Sequence, residues 1–354
     1  MNTVLLSTKN KDRTFLVIVL FWSIVVFLYK VPESLDLYRY YDTIKTFRGS
    51  VYQLMQSAQE TSFDFIYLTS LKILYDIGLP LSLGTAIYVS LYFITGLMII
   101  KAVIGSEGVM TIPNFLVACV CLSVPFSWVI CISRSTAAFC FLYFALYKYI
   151  KKRYWHAVFF TMVSVMTHVS MLIFIVIITL AIILTPLIKK ASKGRFVFLL
   201  IFLTVAFVGL STVFSQVMDI LSLTSIADTR YGATYLGDNE SLTGNFLLST
   251  NLSKGERAHI AVMLVFFPIL LFQDKKWDLF STVLLLGEIL MVFFNFTQPH
   301  ILIRTAMFLM PFFGVLLCRC YALNPKQRQL YKAFMVLSIL CEMWEFYNAR
   351  PDFL

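Results

Sequence analysis

The residues with chemistry to offer lie in a stretch that is otherwise apolar. From Cys131 to Ser170 the chain reads CISRSTAAFCFLYFALYKYIKKRYWHAVFFTMVSVMTHVS. Arg134 opens an apolar run, a basic knot follows at Lys148, Lys151, Lys152 and Arg153, and a second apolar run climbs to His168. Short loops rich in Lys and Arg stay on the cytoplasmic side, so the knot is predicted to be inside. Arg134 and His168 then lie toward the opposite face, about one bilayer thickness away. An arginine at membrane depth is costly and is usually kept for a charged or phosphorylated partner. A later apolar run repeats the arrangement, with His300 at its start and Arg304 one turn in. A guanidinium fork stays charged and grips phosphate oxygens in pairs, so such arginines suit an anionic, lipid-linked substrate with a diphosphate leaving group. Asp36, Tyr38, Arg39, Tyr40, Tyr41 and Asp42 add carboxylates, a guanidinium and flat ring faces suited to sugars.

These groups need a membrane scaffold to hold them. The chain has 354 residues, 59% of them hydrophobic and 14% charged, and a mean hydropathy of +0.82. That balance excludes a soluble domain. The apolar runs are long and continuous rather than alternating, which favours helices over a barrel. The expected fold is an all-α, polytopic membrane bundle forming a single domain over 1–354, with about 11–12 transmembrane or re-entrant segments and a long outer loop. The net charge of +10 is mostly cytoplasmic loop charge, so nucleic acid is not an expected partner, whereas membrane lipid is.

Counting sides along the chain places the elements. Lys9, Lys11 and Arg13 precede a first span at 14–31, read as uncleaved with its start inside. Residues 32–62 are too polar to cross and lie outside. Residues 63–79, with Lys72 and Asp76, either cross, re-enter or lie in the interface, and the parity of later spans requires that they do not fully cross. Span 82–102 ends inside at Lys101, 111–130 returns outward, and 134–150 comes inward. Residues 155–188 are apolar for 34 positions between two basic clusters, which predicts two short crossings with a turn near His168. Span 195–215 leads out to the polar segment 216–256. Spans 257–273 and 278–297 flank an inner Gln273–Lys276 turn, and spans 300–318 and 328–346 complete the chain.

Plainer readings exist for each candidate. Arg134 and Arg304 also fit snorkelling anchors, His168 fits helix packing, and Asp36 fits a helix cap. His156 and His259 read as interfacial. The paired cysteines lack nearby histidines, so packing is preferred to a zinc site and no metal is expected. P-loop, GxSxG, HExxH and DxD motifs are missing.

The ordered motifs resemble the EpsG-like branch of the Wzy-type O-antigen and capsule polymerases. The resemblance rests on Asp36-Leu37-Tyr38-Arg39-Tyr40, Glu60-Thr61-Ser62-Phe63, Arg134-Ser135-Thr136-Ala137-Ala138 and His168-Val169-Ser170. Arg230-Tyr231 with Tyr235, and Arg304 to Pro311, continue it. Relatives often carry Gln after the first Arg, where this chain has Ser135. The resemblance implies a polymerase in the bacterial inner membrane that joins undecaprenyl-diphosphate-linked repeat units on the periplasmic face. No cofactor is implied, and a chain-length regulator is a possible partner. Arg134 and Arg304 would hold the donor diphosphate, and Asp36 or His168 would be the general base. Arg39, Tyr40, Glu60, Arg230, Tyr231, Tyr235 and His300 would bind substrate. The alternatives are a membrane acyltransferase that modifies surface sugars and a lipid-linked glycan flippase.

Overall fold

A computed structural model describes residues 8–29, 36–61, 65–107, 126–190, 254–297, 299–323 and 328–348. Every element among them is a helix: α1 (Thr8–Leu28), α2 (Asp36–Thr46), α3 (Val51–Thr61), α4 (Phe65–Asp76), α5 (Leu81–Ser106), α6 (Phe126–Cys131), α7 (Ser133–Ile150), α8 (Tyr154–Thr167), α9 (Met171–Lys190), α10 (Lys254–Gln273), α11 (Leu279–Thr297), α12 (Pro299–Leu323) and α13 (Arg328–Asn348). Three described helices are long and apolar enough to cross a bilayer, at Leu81–Ser106, Met171–Lys190 and Ile301–Ala322. The chain is an all-α polytopic membrane protein. Residues 216–253 of the expected outer loop, the expected span 195–215 and most of the expected span 111–130 lie outside the described residues, while 254–256 open α10.

The chain divides into two compact units, one of residues 1–175 with 310–354, the other of residues 176–309.

In the first unit α5 is the central post. It is apolar on all sides, and a helix of that kind is stable only when enclosed. Helices α1, α4 and α7 pack around it. Gly84 admits α4, because a Cβ there would lie 2.6 Å from Leu71 Cδ2. Tyr88 of α5 donates to Ser70 of α4 at 2.8 Å, so the two helices run antiparallel. The α3 and α4 arms also pack together and are separated by only three residues. Each is 11 or 12 residues long, roughly 17 Å, against a hydrocarbon core of about 30 Å. They form a short hairpin.

Helices α7 and α8 form the second hairpin. Its turn closes as a Schellman motif: Arg153 N donates to Lys148 O and Lys152 N to Tyr149 O, both at 2.9 Å. Lys152 takes the left-handed position, with φ 59°, where glycine is usual. The sequence accepts a strain of roughly 1–2 kcal/mol and keeps a positive charge in the turn. The apolar run 155–188 breaks at His168–Ser170, between α8 and α9, where two crossings were expected to meet.

In the second unit, α10 and α11 pack across residues 274–278. Asp274 accepts from Lys276 N at 3.2 Å and from the Ser281 hydroxyl, while Asp278 caps α11 by accepting from Phe280 N at 3.0 Å. Thr185 of α9 donates to Thr282 at 3.0 Å. That bond puts the basic end of α9, Lys189 and Lys190, on the same side as the 274–278 turn. Gly287 gives the close approach between α11 and α12, since a Cβ there would meet Leu309 Cδ2 at 2.4 Å.

Candidate active site

The first-unit site forms where helix α7 begins. At Ile132 the chain leaves helical geometry, with φ −105° and ψ 46°. Thr136 Oγ1 donates to Val129 O at 2.7 Å, across seven residues that an unbroken helix would separate by roughly 10 Å of rise. The chain therefore bends sharply and folds the end of α6 against the first turn of α7. Arg134 stands in that turn. No side chain caps the turn at Ile132, and the α7 N-terminus sets the positive end of its helix dipole beside the guanidinium. Both favour an anion.

An aromatic scaffold holds Arg134 in place. Its Cζ lies 5.0 Å from the centroid of the Tyr40 ring, within reach of a cation–π interaction. The Tyr40 ring meets Tyr67 edge-on, with centroids 5.7 Å apart. Tyr67 is fully buried, shares a 2.6 Å hydrogen bond with Ser133 and lies 5.6 Å from the Tyr88 ring. Tyr41, the next residue of α2, shares a 2.6 Å hydrogen bond with Thr85 of α5. Burial pushes the Tyr41 phenol up to about 12, against the opposing pull of Thr85, so this tie stays protonated across physiological pH. The tyrosines thus fasten α2 to α4, α5 and α7 and lay one ring under the arginine.

The hairpin register brings in His168. Ser164 of α8 donates to Ala138 O of α7 at 2.8 Å. One helical turn beyond that contact, four residues back along α7 and four forward along α8, stand Arg134 and His168. They share one height, about sixteen residues or roughly 24 Å from the basic knot. His168 is 2% exposed and ends α8 with extended backbone, its N–H donating to Ser164 O at 3.0 Å.

The other candidates are placed as follows. Asp36 is the first residue of α2, one turn before Tyr40, and Glu60 lies in the last turn of α3. Arg39 is exposed. Arg304 is half-buried in α12 within the second unit, one turn after His300, at the end of α12 remote from the 274–278 turn. Arg230, Tyr231 and Tyr235 lie outside the described residues.

A family model described as the EpsG family matches residues 13–353. The chain belongs to the EpsG family. No curated protein and no solved structure matches it. EpsG proteins form a Wzy-like polymerase family, which supports a membrane polysaccharide polymerase role in general terms.

Several residues of this EpsG-family chain were not singled out by sequence. Tyr67 and Ser133 carry no local motif and are 66 positions apart. Arg319 is 1% exposed and binds Glu107 in a bidentate pair, with Nη2 at 2.6 Å and Nε at 2.9 Å from its oxygens. Glu288 is 7% exposed within α11. His259, expected at the interface, is 2% exposed, because α10 buries it within the second unit. His156 is exposed.

Proposed function

We propose that this EpsG-family chain is a bacterial inner-membrane polymerase that joins undecaprenyl-diphosphate-linked oligosaccharide repeat units at the periplasmic face. One observation carries the reading: a guanidinium laid on the Tyr40 ring at the N-terminus of α7, level with His168 and far from the basic turn. The site can hold a diphosphate at the outer end of the helices, where a lipid carrier presents it.

In this mechanism the acceptor sugar hydroxyl attacks the anomeric carbon of the donor. The new glycosidic C–O bond forms as the bond from that carbon to the diphosphate oxygen breaks. The leaving undecaprenyl diphosphate takes the electron pair, and Asp36 or His168 takes the hydroxyl proton. Arg134 and the positive end of the α7 dipole stabilise the charge that develops on the leaving oxygen, which is electrostatic catalysis. Arg304 is the matching phosphate-binding group of the second unit. Tyr40 and Arg39 contact sugar, with Glu60, His300 and the Arg230, Tyr231 and Tyr235 loop shaping glycan choice. Missing DxD carboxylates support transfer without a metal, and a chain-length regulator is a fitting partner.

Reconstitution tests this reading. Purified protein in lipid nanodiscs, supplied with a lipid-diphosphate-linked repeat unit, should yield elongated lipid-linked glycan and free polyprenyl diphosphate. Excess EDTA should leave the rate within about twofold, because the charge stabilisation comes from fixed side chains. Elongation that stops in EDTA and returns with a divalent metal would overturn the metal-independent mechanism. No elongation by folded protein would overturn the polymerase reading.

A further inference from the structure

The hydroxyl groups around the two helix ends at Arg134 and His168 fall into two sets. Most are committed to the fold. Ser133 is bonded to Tyr67 at 2.6 Å, Thr136 donates to Val129 O at 2.7 Å, Ser164 to Ala138 O at 2.8 Å and Thr167 to Val163 O at 2.7 Å. Ser135 and Ser170 differ. Both Oγ atoms are buried, and neither has a hydrogen-bond partner among the described residues. Ser135 is 1% exposed and follows Arg134 in the first turn of α7, at the positive end of its helix dipole. Ser170 lies two residues after His168, in the turn between α8 and α9. The Ser164–Ala138 register sets these two residues at the same height as the arginine.

A buried hydroxyl without a partner is unfavourable, and native structures keep few of them. Two at one height, each beside a candidate catalytic group, point to an acceptor that arrives with a ligand. Phosphate oxygens are strong acceptors, and bonds to an ionised acceptor are about twice as strong as neutral ones. We propose that the Ser135 and Ser170 hydroxyls are positioning groups that donate to the phosphate oxygens of a lipid-linked diphosphate held by Arg134. The assignment rests on the polymerase reading above and extends it to residues that bind the leaving group.

The test sets binding against stability. Full-length protein in phosphatidylcholine nanodiscs is titrated with farnesyl diphosphate, and its thermal unfolding is followed in parallel. Ser135→Ala and Ser170→Ala should each weaken binding about tenfold and leave the unfolding temperature unchanged or raised, because an unpartnered buried hydroxyl has been removed. Ser133→Ala should do the reverse, lowering the unfolding temperature because it strands the buried Tyr67 hydroxyl. Farnesyl monophosphate should bind more weakly than the diphosphate, and phosphatidylglycerol nanodiscs should leave affinity for the diphosphate unchanged. Occlusion of the site by phosphatidylglycerol would assign the hydroxyls to phospholipid headgroups and overturn the proposal. Wild-type affinity in both serine variants, with Arg134→Lys still weakening binding, would overturn the serine assignment alone. Failure of folded wild-type protein to bind farnesyl diphosphate would remove the diphosphate reading and this proposal with it.

Discussion

Arg134→Lys should lower polymer synthesis about a hundredfold, the scale seen when one preorganised charge-stabilising donor is removed, with the amount of folded protein in the membrane unchanged. Both halves of that expectation come from geometry. The guanidinium is planar, so it can lie on the Tyr40 ring at 5.0 Å and still direct a fork of N–H donors at phosphate. A lysine ammonium is a point charge and cannot do both. The fold depends little on Arg134 itself, because the neighbouring Tyr67–Ser133 bond and the Ser164–Ala138 bond tie α7 to its neighbours. Polymer length and yield are read on a gel beside an immunoblot of the membrane fraction. Full-length polymer at the wild-type rate would return Arg134 to the role of a snorkelling anchor.

The second large effect concerns stability. Breaking the Glu107–Arg319 pair should cost about 3–5 kcal/mol, as for other buried pairs that lose one member. The two halves are unequal. Arg319 is 1% exposed and cannot shed its proton, whereas Glu107, with 14% of its side chain exposed, can take one up. Glu107→Leu should therefore destabilise more than Arg319→Met. The exchange Glu107→Arg with Arg319→Glu should recover part of the loss. Thermal unfolding of the purified protein in detergent measures all three. Equal stability of wild type and Glu107→Leu would show that the pair contributes nothing to holding α5 and α12 together.

What could be read in the sequence was whatever charge and length constrain. The break at His168 was legible because 34 apolar residues between two basic clusters exceed one crossing and must return to the same side. The same reasoning put Arg134 level with His168, and the Ser164–Ala138 contact supplies the register. Neither the packing of α4 on α5 nor its hairpin with α3 was legible. The remaining features depend on long-range pairing, which no local pattern encodes. Tyr40 could be picked out as a sugar-facing ring, but its place under the guanidinium needs α2 to fold down through Tyr41 and Thr85, 44 residues apart. Glu107 and Arg319 are 212 residues apart and each resembles an ordinary end-of-helix charge. The bend at Ile132 has no glycine or proline of its own to announce it. Glu288 was visible as a charge within an apolar run, but only packing shows that it is enclosed.

The central claim is that the chain polymerises finished repeat units, and the surface glycan of a deletion strain tests it most directly. A polymerase acts after the units are made and exported and before the glycan reaches its final carrier. In a host that ligates glycan to lipid A core, gel analysis of the deletion strain should show core bearing a single repeat unit and no ladder, with the ladder restored by the wild-type chain and not by Arg134→Lys. Bare core with no repeat unit would indicate lost export and a flippase, and an intact ladder altered only in acylation would indicate an acyltransferase. Either result would contradict the polymerase account.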